Sequence, residues 1–365
     1  MVVQKQRANS RRTFADWCRE KASLSPEVKY TVEMLLKKAE TTECDAANQR
    51  LSSLTQLSLY YISNIKPLES FTNLKELSLR ANKISDIKPL ESLTNLKGLN
   101  LFGSQISDIK PLQSLTNLKK LNLVNNKISN LKPLQSLTNL KELNLDSNKI
   151  SDIKPLQSLT NLEVLKLSNN SIRDIKPLQS LTNLVLLYLY NNKISDIKPL
   201  QSLNELTELY LDHNQISDIK PLQSLTNLND LGLGSNKISD IKSLQSLTNL
   251  TVLYLDSNQI SNIKFLEPLT NLFLVNLNNN SIRDIKPLQS WNKLFWLSLD
   301  DNKISDIKPL QSLTNLQKLY MSNNQISNIK ALESLSELTE LYLSGNPIAP
   351  KTCPLKPESI CKWEP

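Results

Sequence analysis

Residues 74–95 read LKELSLRANKISDIKPLESLTN, and residues 96–117 continue as LKGLNLFGSQISDIKPLQSLTN. The shared apolar frame is Leu74-x-x-Leu77-x-Leu79, then a polar residue at Asn82, then Ile84, Ile87, Leu90 and Leu93. The frame restarts every 22 residues, at Leu96, Leu118, Leu140, Leu162, Leu184, Leu206, Leu228, Leu250, Leu272, Leu294, Leu316 and Leu338. A shorter unit begins at Leu54 and returns after 20 residues, which makes 14 units. A fixed period of this kind marks a repeat architecture. One unit is too small to close a core, so stacking must bury a shared one.

The spacing within a unit carries its own mechanics. Leu77-x-Leu79 has the period-two alternation of a short strand with one buried face. Ile84, Ile87, Leu90 and Leu93 recur every three residues, which suits a 3₁₀ turn or extended chain better than an α-helix. Lys-Pro ahead of Leu90 points the same way, because Pro removes a donor and restricts its predecessor. A polar residue at a stacked interior position must find hydrogen-bond partners. Asn82, Asn126, Asn148, Asn170, Asn192, Asn214, Asn236, Asn258, Asn280, Asn302, Asn324 and Asn346 therefore form an expected amide ladder, broken once by Ser104.

The pattern LxxLxLxxNxIxxIxxLxxL at this period resembles the leucine-rich repeat family. The stretch ISDIKPLQSLTNL is similar to the 22-residue subclass of bacterial internalins. It also resembles intracellular regulators that bind protein phosphatases, and cyanobacterial leucine-rich repeat proteins with a Cys-containing helical start. The resemblance covers about residues 51–348. It implies an α/β solenoid: a curved right-handed superhelix with a concave parallel β-sheet, convex 3₁₀ or extended segments and a helical N-terminal cap. It further implies non-catalytic binding of a protein partner on the concave face. The export signal and wall anchor of internalins are not seen, and no ubiquitin-ligase or kinase domain follows the repeats.

The chain is expected to divide into four segments. Residues 1–12 carry Lys5, Arg7, Arg11 and Arg12 without an acid and read as a disordered basic tail. Residues 13–50 read as a helical cap, with Ser25-Pro26 as a helix start and Val28, Val32, Leu35 and Leu36 as its apolar stripe. The repeats occupy 51–348, and the Pro-rich segment 349–365 closes the far end. Each cap holds two cysteines, Cys18 with Cys44 and Cys353 with Cys361, so each pair could form a disulfide staple. In the absence of an export signal, buried free thiols in a cytoplasmic, monomeric protein are the expectation.

Composition narrows the function. One His and 5 Gly in 365 residues argue against His-based catalysis, multi-His metal sites and Gly-rich phosphate loops. No catalytic residue, metal site or cofactor is expected. No apolar run is long enough to span a membrane. The net charge of +8 is set partly by Lys66, Lys88, Lys110, Lys132 and their successors. Most of these have Asp two residues earlier, as in Asp86-Ile87-Lys88, and no aromatic side chains interleave them. A nucleic-acid surface is therefore not expected.

The outward strand positions are the third, fifth and seventh of each unit, and these vary while the frame does not. They carry Leu186, Tyr188, Tyr190, Tyr210, Tyr254, Leu274, Trp296, Tyr320 and Tyr342, with Asp212, Asp256 and Asp300. Aromatic residues dominate interface energetics, and exposed clusters of them mark interaction sites. Gly232 and Gly234 fall between Tyr210 and Tyr254 and between Asp212 and Asp256. At a strand spacing of ~4.8 Å, these neighbours would flank an open notch about 10 Å wide, suited to a cationic or aromatic side chain. At that separation Asp212 and Asp256 could not share a metal ion. His213 beside Asp212 has no nucleophile forced next to it.

Overall fold

The structure, a computed structural model, describes residues 12–81 and 83–364. The expected basic tail, apart from Arg12, and Asn82 of the amide ladder lie outside the described residues. The chain divides into two compact units, Met1–Lys166 and Leu167–Pro365.

The first unit opens with three helices, α1 (Phe14–Arg19), α2 (Pro26–Ala39) and α3 (Cys44–Ser52). Thr13 and Asp16 cap α1 reciprocally: the Thr13 hydroxyl accepts from the Asp16 N–H, and Asp16 accepts from the Thr13 N–H at 2.8 Å. Helix α2 has Ser25 as N-cap and Pro26 in its first turn. Its stripe of Val28, Val32, Leu35 and Leu36 is buried. Phe14 meets Phe71 with ring centroids 6.0 Å apart, and the Thr31 hydroxyl donates to the Asn64 carbonyl at 2.7 Å. The helices thus cover the apolar edge that the first coil would otherwise expose.

Strands β1 (Gln56–Ser58) to β6 (Val164–Lys166) follow in this unit, parallel and in chain order. Register advances by one repeat per strand, so Leu57, Leu77, Leu99, Leu121, Leu143 and Leu165 stand side by side. The second unit repeats the arrangement from β7 (Leu186–Tyr188) to β14 (Glu340–Tyr342) and adds β15 (Cys361–Lys362) beside β14. Because the register equals the period, every frame position forms a straight row across its unit.

Each coil returns through a short 3₁₀ turn such as Lys88–Ser92 or Lys198–Ser202. The Asp two residues before the Lys does more than balance charge. Asp86 accepts the Lys88 N–H at 2.9 Å and Asp196 accepts that of Lys198 at 2.9 Å, which caps a turn whose first N–H groups lack partners. The frame Leu and Ile side chains from Leu57 to Leu338 are at most 3% exposed, except the partly exposed Ile329.

Amide and hydroxyl rows fasten the coils to one another. Asn258 donates to the carbonyls of Leu233, Leu255 and Asp256 and accepts the Ile238 N–H at 2.9 Å. The same geometry recurs at Asn126, Asn148, Asn192, Asn214, Asn236, Asn280, Asn302, Asn324 and Asn346. Asn170 donates to the Leu167 and Ser168 carbonyls. Ser104, too short to reach across, is buried without a hydrogen-bond partner on its hydroxyl. Two further rows were open to reading in the repeated Ser-Leu-Thr-Asn. Asn95 and Asn117 donate to carbonyls of the preceding coil at 2.9 Å, and Ser92 and Ser114 do the same at 2.7 and 3.0 Å. The eighth position is left-handed throughout, from Tyr61 (φ 60°) through Asn125 and His213 to Gly345 (φ 69°). Asn, Ser and Gly recur there, and Asn and Gly tolerate this conformation best.

The free-thiol expectation is overturned. Cys18 bonds to Cys44 and Cys353 to Cys361, with Cα atoms 5.6 and 5.8 Å apart, within the span of a disulfide. Cys18 lies on α1 and Cys44 opens α3, and these two helices pack together.

Candidate protein-binding face

In the second unit the buried leucines of each strand force the third, fifth and seventh residues to the opposite side of the sheet. Leu186, Tyr188, Tyr190, Tyr210, Tyr254, Leu274, Trp296, Tyr320 and Tyr342 all lie there and are half-buried. Their burial comes from one another and from the next strand. Tyr188 and Tyr210 meet edge to face at 5.0 Å, Trp296 and Tyr320 lie 5.5 Å apart, and Tyr320 stacks on Tyr342 at 4.8 Å. The Tyr188 hydroxyl donates to Glu208 at 2.6 Å and that of Tyr320 to Glu340 at 2.8 Å. Stacking and these bonds hold the rings in place, which lowers the entropy lost when a partner docks.

The notch between Tyr210 and Tyr254 is closed. A Cβ added at Gly232 would overlap Asp212 Oδ2 and lie 2.6 Å from Tyr210 Cδ1. One added at Gly234 would lie 2.6 Å from Asp256 Oδ1 and 3.1 Å from Asp212 Oδ1. The Gly234 N–H donates to Asp212 Oδ1 at 2.8 Å. Both glycines are buried under their neighbours' side chains. The floor that backbone spacing leaves open is filled because a partly desolvated carboxylate turns to the nearest free N–H. The 10 Å separation expected for Asp212 and Asp256 fails for the same reason, since both reach over Gly234. Even so, no cluster of three or more metal-ligating side chains is found among the described residues.

Burial raises Asp212, Asp230, Asp256 and Asp300 above the usual carboxylate range. Asp300 is partly compensated by the Ser322 N–H, which it accepts at 2.6 Å. Burial also pushes Tyr188 and Tyr254 up, and moves Tyr210 and Tyr320 to about 12. The tyrosines are therefore neutral donors at neutral pH. Glu208, Asp212, Asp230 and Asp256 gather around them, and none of the ion pairs among the described residues involves these four. His213 is exposed at the edge, with φ 54° and its N–H on the Gly234 carbonyl at 2.8 Å.

Two aromatic pairs with exposed rings fall outside the residues singled out from the sequence. Phe273 and Phe295 stack at 5.0 Å with Phe273 48% exposed, at the second position of consecutive units. Tyr60 and Tyr61 are 39% and 80% exposed. Applying the seventh and eighth positions to the short first unit would have found both. Among the described residues no helix is long and apolar enough to cross a membrane.

Comparison with known proteins fits this geometry. The model of Leucine Rich repeats (2 copies) matches residues 52–92, 72–114, 94–135, 116–158, 160–202, 204–246, 292–334 and 314–356. No curated protein matches the chain. Among solved structures, internalin F of Listeria monocytogenes is 37% identical with a TM-score of 0.81, covering 84% of this chain and 92% of its own. A leucine-rich repeat protein of Leptospira interrogans is 29% identical with a TM-score of 0.73, covering 87% and 91%. The Arabidopsis receptor kinase HAESA, solved with a peptide hormone and a co-receptor, shares the fold alone at 22% identity and a TM-score of 0.66, covering 82% and 59%. Repeat model, parallel sheet, 3₁₀ returns and internalin likeness agree: the chain belongs to the leucine-rich repeat family and is an internalin-like member of it.

Proposed function

We propose that this protein is a non-catalytic binding module, and that the sheet face from Tyr188 to Asp256 receives a basic segment of a protein partner. One observation carries the reading. Glu208, Asp212, Asp230 and Asp256 are drawn together beside Tyr188, Tyr210 and Tyr254, with no Lys or Arg ion-paired to them among the described residues and only His213 acting on Asp212 and Asp256. Uncompensated carboxylates in a partly dry site favour a cation, and a guanidinium can pair with a carboxylate while lying on a ring. Tyr and Arg are also the side chains that dominate interfaces. Leucine-rich repeat proteins generally serve as interaction modules, and HAESA was solved with a peptide hormone, which supports the reading. The test is capture from the source lysate, with Tyr210→Ala/Tyr254→Ala and Asp212→Asn/Asp256→Asn beside the parent chain. A partner retained by the parent, lost from both variants and weakened by salt supports the proposal. Equal retention by all three sinks it.

A second reading concerns location. In place of the cytoplasmic expectation, we propose that the protein works in an oxidising compartment, as an exported internalin-like binder would. Two disulfides, one in each cap, support this. Thiol titration of protein alkylated at lysis from its native source tests it: no free thiol is expected, and four would return it to the cytoplasm.

A further inference from the structure

The first unit carries a different surface on the same side of its sheet. A groove of about 520 Å³ runs over β1 to β6. Its volume falls within the ~300–1,000 Å³ of small-molecule sites, and its six strands span about 24 Å at ~4.8 Å each. The fifth-position row along its floor is Ser58, Ser78, Asn100, Asn122, Asn144 and Lys166. Asn100, Asn122 and Asn144 each accept the N–H two residues ahead, at 3.1, 3.0 and 3.0 Å. That bond fixes the amide plane and leaves its NH₂ as an outward donor. Three fixed donors therefore stand side by side, one strand apart.

The third-position row supplies acceptors, and with Lys166 of the fifth-position row the lining holds two carboxylates and two ammonium groups. Lys120 pairs with Glu142 at 2.7 Å, and Glu76 lies across Gly98 on the side facing Lys120. Gly98 is what allows this carboxylate to lie flat, since any Cβ there would collide with it. Two residues along from Ser58, Ser78 and Asn100, on the same side, stand Tyr60, Arg80 and Phe102. Tyr60 is 39% and Phe102 38% exposed, and the Arg80 guanidinium lies 5.9 Å from the Tyr60 ring centre.

We propose that this groove binds a neutral oligosaccharide. Fixed amide donors beside carboxylate acceptors match neighbouring sugar hydroxyls, which both accept and donate. The exposed rings offer flat apolar faces for the C–H side of a pyranose. A protein partner fits less well, because the outward side chains of the floor include no aromatic anchor and its leucines are buried in the core. The paired charges do not call for a polyanion.

The test is an array of neutral tri- and tetrasaccharides, with each hit titrated against the full chain by calorimetry. At least one neutral glycan should bind. Asn100→Ala/Asn122→Ala and Tyr60→Ala/Phe102→Ala should each weaken it tenfold or more with unfolding curves unchanged, while Tyr210→Ala/Tyr254→Ala should leave it unaltered. The rim variant lies outside the strands, so it decides the matter should the floor variant fail to fold. Three results would overturn the proposal: no neutral glycan bound, binding confined to sulfated or other anionic glycans, or affinity unaffected by the rim and floor changes.

Discussion

Two sheet faces built on one frame differ in how their side chains are held. In the first unit the fifth-position amides of Asn100, Asn122 and Asn144 fold back onto N–H groups of their own strands. In the second unit Asn276 does the same, but seventh-position groups also reach sideways: Asp212 to the Gly234 N–H, Asn278 to that of Asp300, and Asp300 to that of Ser322. The first pattern leaves donors facing outward over a polar groove. The second consumes donors, packs carboxylates against tyrosines and raises them. Identical backbone rows thus carry a donor-lined polar groove in one unit and a face of carboxylates and tyrosines in the other. What decides is whether a short acceptor finds its N–H two residues ahead or one strand away.

Substitutions at matched positions of the two units separate the shared frame from what it carries. The largest effects belong to the caps. Cys18–Cys44 joins residues 26 apart and Cys353–Cys361 residues 8 apart. By loop-closure entropy, the Cys→Ser pairs should cost about 3.5 and about 2.5 kcal/mol. Denaturant unfolding of each pair measures this, and an equal or inverted order would show that chain entropy does not govern the caps. Next come the frame amides. Asn148→Ala and Asn258→Ala remove the same set of bonds in the two units, so each should cost about 2 kcal/mol. A difference beyond the error of the denaturation curves would mean that the frame, and not only its decoration, differs between the units.

The smallest effect separates the two faces themselves. Asp212 has a raised folded-state pKa through burial, so its favourable contribution is present at low pH and is lost as pH rises through that value. At neutral pH the ionised form is held at a cost. Asp212→Asn keeps the acceptor for Gly234 and removes the charge. It should therefore raise the melting temperature by about 2 °C at pH 7, with the gain vanishing below about pH 4. Glu142→Gln, at an exposed carboxylate paired with Lys120, should show no such gain. Thermal scans across pH check both, and an Asp212→Asn gain that persists unchanged in acid would exclude the burial explanation.

Much of this was legible in the amino-acid order. Period two located the strands at Leu77-x-Leu79, period three located the 3₁₀ returns, and the recurring Asn predicted a ladder with its break at Ser104. Outward positions were also assignable, because alternation leaves no choice once the leucines are inside. Repetition likewise contained the Ser92 and Asn95 rows and the left-handed eighth position. The Ser and Asn signals were recurring residue types whose partners sit one coil away.

The amino-acid sequence by itself determined the repeat, its register, the buried face and the identity of every outward residue, because 22-residue periodicity and the packing of apolar side chains admit one arrangement. Tertiary structure alone decided what those outward residues do to each other. Side chains longer than the strand spacing of ~4.8 Å cross onto neighbours, and free polar groups turn to whichever partner is in reach. So Asp212 closed the notch at Gly232, Tyr188 leaned on Tyr210, Glu76 lay over Gly98, and the helices of the cap brought Cys18 to Cys44.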